Sequence, residues 1–360
     1  MRIGEHKRFV SLSVQKKSLF LLFMISILIV FLIEASLLLL PKNAESLQKN
    51  YFTKPETSRE ELSNLYFQQG GRLWGERIET IGAQGAYGEF KETYKSLKST
   101  DQHRMAHVFG EILYMYAGID GVSVCDEAFF FGCYHSFLGT ALQYEGLVVL
   151  PSLNELCNRD AESERDCQHG IGHGVLTFLG YRFPNLVQAL ERCFSLRFYP
   201  EWCFGGVFME YNFQTMLADE GRVRVFQTDK PFYPCIELDQ AFRPACYFSQ
   251  PQWWLKVLKG SAKERFGQIG NLCKKLEKED QKYCFSGSGD IAGVLADYDV
   301  EKAISLCESL STFDGSFFCR AEAARVFFTQ SKTKSFVYLL CENIDSSRKQ
   351  SCLTIAGIER

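Results

Sequence analysis

The sequence predicts an all-α chain: a disulfide-stapled αα-hairpin repeat solenoid carried on one N-terminal transmembrane helix. Three observations predict it. The 14 cysteines fall into seven successive pairs, 8 to 12 residues apart within a pair. Successive second cysteines recur every 33 to 43 residues, a period that marks stacked supersecondary units. No segment sustains the period-2 alternation of a half-buried strand.

The N-terminal segments stand apart from the repeats. Residues 1–17 form a basic tail through Arg2, Lys7, Arg8, Lys16 and Lys17, which the positive-inside rule places in the cytoplasm. Residues 18–40 are almost wholly apolar, with Glu34 near the outer end, and are long enough to span a hydrocarbon core of roughly 30 Å. A cleaved signal peptide is the alternative, but the apolar run is long and Pro41-Lys42 follows it without a clean Ala–Xaa–Ala. The main domain is then periplasmic or extracellular, and cysteines confined to Cys125–Cys352 agree with that topology. Residues 41–57 read as a polar stalk.

Residues 58–360 read as the extracytoplasmic α-helical repeat domain. Ser58-Arg59-Glu60-Glu61 has a cap followed by first-turn acids, the start signal of a helix. Gly70-Gly71 is expected to end it, with further breaks at Gly82, Gly85 and Gly88. From Asp101 each unit has an amphipathic helix ending at a first cysteine, a turn, and a second cysteine opening another helix. The spacing favours bridges within each pair: Cys125/Cys133, Cys157/Cys167, Cys193/Cys203, Cys235/Cys246, Cys273/Cys284, Cys307/Cys319 and Cys341/Cys352. Closing a loop of about ten residues contributes roughly 2–3 kcal/mol. Asp219 to Pro234 is an insertion expected to form a loop over one face, and the last unit ends in a truncated helix.

Composition and motifs exclude several functions. A net charge of -3 lacks the basic footprint of a nucleic-acid binder. No Cys–Xaa–Xaa–Cys occurs, which removes zinc-ribbon, thioredoxin and covalent haem readings. Position 104 is Arg and position 170 is Gly, so neither His-Xaa3-His pair carries the glutamate base of a zinc protease. Gly287-Ser288-Gly289-Asp290 opens a repeat helix and is expected to serve a close helix contact. Trp253-Trp254 and Phe129-Phe130-Phe131 are expected in core packing between units, with a groove lining as the other reading.

The candidate site is histidine-rich. His103/His107 and His169/His173 are each four residues apart, so each pair shares a helix face. Two residues after the second cysteine stand His135, His169 and Gly205; six after it stand Gly139, His173 and Met209, with Glu210 next. Equivalent positions of stacked repeats form a ladder. The expectation is therefore one metal site built by His103, His107, His135, His169 and His173, with Glu210 as a further ligand. All-nitrogen ligation suits Zn, Cu or Fe. Gly170, Gly172, Gly174, Gly205 and Gly206 ask for a packing or site reason, because Gly weakens a helix by roughly 1 kcal/mol against Ala. Glu111, Asp126, Glu127 and Asp166 are weaker candidates for the site, most of them reading as solvated acids. No base or nucleophile is identifiable, so catalytic residues stay unknown and the enzyme question stays open. The rival readings are a scaffold holding a protein or peptide partner in the solenoid groove, and an envelope assembly factor without metal.

The ordered motifs His103-Arg-Met-Ala-His107-Val-Phe-Gly110, Gly132-Cys-Tyr-His135, Cys167-Gln-His-Gly-Ile-Gly-His173-Gly and Cys203-Phe-Gly-Gly-Val-Phe-Met-Glu210 resemble those of a bacterial family of membrane-anchored or secreted proteins. Tyr233-Pro234-Cys235 and Cys246-Tyr247 fit it too. The resemblance spans about residues 80 to 360 and implies no activity. Ser136 stands where the family pattern has Gly, and Tyr211-Asn212 where it has Glu-Asn. More loosely, the units are similar to disulfide-bridged tetratricopeptide-like repeats, a likeness that implies fold alone.

Overall fold

The computed structural model describes residues 59–159, 164–213, 224–342 and 344–358. The basic tail, the apolar anchor, the stalk, the Ser58 cap and the first part of the 219–234 insertion lie outside the described residues. Among the described residues no helix is long and apolar enough to cross a membrane, and there is no strand. Ser63–Arg360 is a compact unit.

Helix α1 (Arg59–Tyr94) folds back on itself at Gly82, whose φ of 79° and ψ of 161° lie outside the helical region. The two halves then meet: the Trp74 and Phe90 rings are 5.2 Å apart, and Arg77 pairs with Glu89. The expected stop at Gly70-Gly71 and the expected breaks at Gly85 and Gly88 do not occur. Helix propensity is a weak preference that tertiary packing overrides. A Cβ on Gly70 would stand 3.1 Å from Val108, so this glycine lets helix α2 (Ser99–Ala117) approach.

The repeats form two layers. The inner layer runs α2, α3 (Gly132–Glu145), α5 (Glu164–Leu179), α7 (Pro200–Phe213), α8 (Arg243–Val257), α10 (Lys278–Ala296), α12 (Phe313–Ser331) and α14 (Ser346–Ile355), each packed on the next. The outer layer holds α4 (Leu150–Cys157), α6 (Phe183–Phe194), α9 (Ala262–Cys273), α11 (Val300–Glu308) and α13 (Lys334–Leu340). Every expected bridge is present, with Cα–Cα separations of 5.4 to 5.8 Å: Cys125–Cys133, Cys157–Cys167, Cys193–Cys203, Cys235–Cys246, Cys273–Cys284, Cys307–Cys319 and Cys341–Cys352.

Two units depart from the expected hairpin, in which an α-helix ends at the first cysteine. Cys133 is the second residue of α3, as expected, but its partner Cys125 follows a 3₁₀ turn, Gly118–Val124, rather than an α-helix. The Cys125–Cys133 bridge therefore staples a 3₁₀ turn to α3 and closes no αα-hairpin. Gly118 and Gly121 weaken helix there. Cys235 lies in a second 3₁₀ turn, Cys235–Glu237, where Pro231 and Pro234 lack the N–H that an α-helix needs. Helix α14 is shortened, as expected.

The expectations for Trp253-Trp254 and for Gly287-Gly289 hold, whereas Phe129 and Phe131 only lean half-buried on the core and Phe129 and Phe130 line a cavity. Trp253 and Trp254 are buried core, and their indole N–H groups donate to the Arg224 and Pro231 carbonyls at 3.0 and 3.1 Å, pinning the described end of the insertion. A Cβ on Gly287 would fall 1.8 Å from the Phe248 carbonyl oxygen, and one on Gly289 2.2 Å from that of Cys319, so this string serves helix contact, from the middle of α10 rather than from its start. The array curves until the end of α12 meets the first unit, where Lys332 Nζ lies 3.3 Å from Glu127. Tyr298 and Gln330 there share a cavity of about 380 Å³ with Phe129 and Phe130.

Candidate metal centre

Three consecutive inner helices carry the histidines, and their backbones nearly touch at the histidine rungs. A Cβ on Gly132 of α3 would stand 2.7 Å from the His103 carbonyl oxygen of α2, and one on Gly170 of α5 would stand 2.6 Å from the Leu138 side chain and 3.1 Å from the Tyr134 carbonyl oxygen of α3. Cys133 adds a second α2–α3 crossing: a Cβ on Gly110 would fall 2.2 Å from its carbonyl oxygen. Its sulfur belongs to the disulfide and is no ligand, so its part in the site is to seat α3 and with it His135, two residues on. Only glycine permits such approaches. Side chains four residues apart on α2 and on α5 are thereby pressed into one seam, with His135 of α3 between them.

The five rings do not close around one point. They form two triads, His103/His107/His135 and His135/His169/His173, and in each the candidate ligand atoms lie within 4.8 Å of one another. His135 belongs to both. Ring centroids lie 5.3 and 5.5 Å from His135 on the His103 and His107 side, and 5.5 and 4.5 Å on the His169 and His173 side.

Within each pair the Nε2 atoms face each other at 3.1 Å. Two nitrogens on a tetrahedral ion with bonds of 2.0–2.1 Å are separated by about 3.3 Å, so both pairs are close to chelating geometry as they stand. Partners behind the rings set the tautomers. His103 Nδ1 lies 2.9 Å from the Phe129 carbonyl oxygen, which can only accept, so Nδ1 carries the proton and Nε2 the lone pair. His173 Nδ1 likewise donates to Glu210 Oε2 at 3.0 Å, while the Tyr181 hydroxyl donates to Oε1 at 2.7 Å. The Trp202 backbone bonds the His169 ring.

The sequence placed Glu210 among the ligands; the structure places it behind His173. It stands outside both triads and orients His173, an arrangement metal-binding histidines commonly use. Phe129 lies in a run of three residues with φ of 56, 54 and 62° at Phe129, Phe130 and Phe131. That left-handed stretch is costly for bulky residues, and it sets the carbonyl that tethers His103.

His135 differs from the other four. Like His173 it is buried, but both of its ring nitrogens lack a hydrogen-bond partner. An unsatisfied buried polar atom costs about 1–3 kcal/mol. Burial holds the imidazole of His103 below the ordinary range and those of His107, His135 and His169 well below it, and neighbouring histidines push the same way. The Phe129 carbonyl partly opposes this at His103. These four rings are thus held neutral near pH 7, with lone pairs available to a cation.

A second polar cluster adjoins α5, and sequence reasoning missed it. Arg325 of α12 pairs with Glu322 and lies 3.6 Å from Asp290 of α10, with its guanidinium 6.0 Å from the Trp202 ring centroid. Burial pushes the Asp290 carboxyl up to about 6 and the Asp166 carboxyl up to about 7, against the pull of Arg325. A signal existed: Asp290 and Arg325 stand six residues after Cys284 and Cys319, as His173 does after Cys167. No sequence signal points to the Phe129 carbonyl or to Tyr181.

Two of the weaker acidic candidates are held by structural partners. Asp126 accepts from the Tyr87 hydroxyl at 2.8 Å and from Lys91 at 2.5 Å, and Glu127 pairs with Lys332. Glu111 is half-buried, and that burial raises its pKa. Asn212 donates to the Ser249 carbonyl at 3.1 Å, a link between α7 and α8.

No protein-family model, curated protein or solved structure matches this chain. The seven disulfides suggest an oxidising, extracytoplasmic environment.

Proposed function

We propose that this protein is a membrane-anchored, extracytoplasmic metal-binding protein of the bacterial family its motifs resemble. Residues 18–40 are its anchor in this reading, and His103, His107, His135, His169 and His173 are its ligands. The observation that carries the proposal is the state of His135. A buried ring with two unsatisfied nitrogens lies between two histidine pairs whose Nε2 atoms already face each other at 3.1 Å. A bound cation supplies the missing partner, and the neutral rings meet it without losing a proton from a charged form. Imidazole ligation fits Zn, Cu or Fe. Such an ion supplies Lewis acidity or, if redox-active, electron transfer. The chain's own contribution is to hold the ligands, through the Phe129 carbonyl, Glu210 and Tyr181.

Metal analysis of the full chain, purified with its disulfides formed, tests this directly. Stoichiometric transition metal is expected, and His169→Ala/His173→Ala should lose metal and melt at a lower temperature in its presence. A metal-free protein whose melting does not respond to added zinc or copper would leave the interaction-scaffold reading in its place.

A further inference from the structure

We infer that the site takes two divalent transition-metal ions joined through His135, which gives one ring nitrogen to each. This rests on the metal-binding reading above and goes beyond it in the number of ions and in the role of one residue.

A single ion cannot use all five rings as they are arranged. With metal–nitrogen bonds of 2.0–2.1 Å, ligand atoms on one ion are at most about 4.2 Å apart. The five histidines do not fall within even 4.8 Å as one group, whereas each triad does, and His135 is the member they share. The two flanking pairs are built alike. Each is an i, i+4 pair on one helix with its Nε2 atoms opposed at 3.1 Å, and each is tethered from behind, by the Phe129 carbonyl on one side and by Glu210 on the other. The His135 ring lies between them, with centroids 4.5 to 5.5 Å from the other four.

The two orphaned nitrogens of His135 decide between one ion and two. An ion on one nitrogen would leave the other buried without a partner, whereas an ion on each satisfies both. As the second ion binds, the remaining ring N–H bond breaks, its proton passes to water, and a metal–nitrogen bond forms in its place. No oxidation state changes. Each ion then has three nitrogen ligands and open positions for water or a small ligand. The two ions would lie roughly 6 Å apart across the bridging ring. Copper(II) and zinc(II) suit such all-imidazole sites.

The full chain, stripped with a chelator and reloaded with copper(II) alone or zinc(II) alone, provides the test. Native mass spectrometry should count two ions per chain with either metal. Electron paramagnetic resonance of the two-copper form should show less than half the spins expected for isolated copper, because the bridge couples them. His103→Ala/His107→Ala should bind one copper with a full mononuclear spectrum, at the triad it leaves intact. One ion per wild-type chain, or two coppers with full and independent spin intensity, would overturn the bridge while leaving metal binding standing. No bound ion with either metal would overturn both proposals. The wild-type counts decide the matter even if a variant fails to fold.

Discussion

Glu210 shows how one buried side chain can act through another. It is fully buried, accepts from His173 Nδ1 and from Tyr181, and so holds the His173 ring with Nε2 toward its partner. Glu210→Gln keeps the size but removes the charge behind the ring. Such a change should weaken metal affinity about 10–100-fold, read by competition with a chromogenic chelator. An unchanged affinity would show that the carboxylate does not orient the ligand. The metal-free protein should also be acid-sensitive through these rings. Burial lowers the folded-state pKa of His103, His107, His135 and His169 below the unfolded value near 6.5. Below that pH the unfolded chain takes up protons that the folded chain refuses, so stability present above about 6.5 is lost as pH falls, by up to roughly 1.4 kcal/mol per pH unit for each group. Asp166, Asp290, Glu111 and Asp280, raised by burial, work in the opposite direction, while Glu89, Glu264 and Asp314, lowered by their hydrogen-bond partners, work with the histidines. Melts of the stripped chain should therefore occur at lower temperature at pH 5.5 than at 7.5; an equal or higher one would contradict the buried, neutral assignment.

Each hairpin is held by packing and by its disulfide together. The Cys193–Cys203 bridge joins α6 to α7, the helix that carries Glu210, and both sulfurs are buried. Closing that loop of about ten residues should contribute roughly 2–3 kcal/mol. Replacing both cysteines with serine should lower the unfolding free energy in urea by at least that amount, since two hydroxyls would then be buried in place of the sulfurs. A loss of under about 1 kcal/mol would mean that packing alone sets the hairpin. The inner helices can stand close enough to form the histidine seam because Gly110, Gly132, Gly170, Gly172 and Gly206 sit at their crossings. At Gly172 a Cβ would come within 2.0 Å of the Cys203 carbonyl oxygen, just as one on Gly110 would meet that of Cys133, contacts backbone cannot yield without moving the helix.

The whole repeat unit curves enough for distant segments to touch. Glu127 and Lys332 are oppositely charged and 3.3 Å apart, and Arg325 lies near Trp202. A zero-length carbodiimide cross-link should therefore join residues 127 and 332, detected by peptide mass mapping. Its absence, with other surface pairs linked, would open the array. As an exposed ion pair this contact adds little stability; its value is as a reporter of curvature. That curvature brings Arg325, with Asp290 and Glu322 around its guanidinium, from two units far along the chain to within electrostatic reach of His169.

The sequence by itself determined the all-α class, the seven bridges and the five histidines, because each is written in local spacing. A helix repeats every 3.6 residues, a hairpin disulfide needs cysteines about ten apart, and a His-Xaa3-His pair shares a face wherever the helix stands. Only the tertiary structure decided that Gly70-Gly71 continues a helix while Gly82 turns one, since packing against Val108 outweighs a preference of about 1 kcal/mol. The same holds for the unit of Cys125 and Cys133, whose spacing is that of a hairpin but whose first arm is a 3₁₀ turn. It also decided the division of the site. That the rings form two triads rather than one group, that Glu210 stands behind His173 and outside both, and that the His135 ring nitrogens lack hydrogen-bond partners all depend on distances between helices. Those distances come from array curvature and from glycine crossings. The crossing glycines do recur, at three residues after Cys167, Cys203 and Cys284 and five after Cys167 and Cys284, but how closely they bring one helix to the next is set between units.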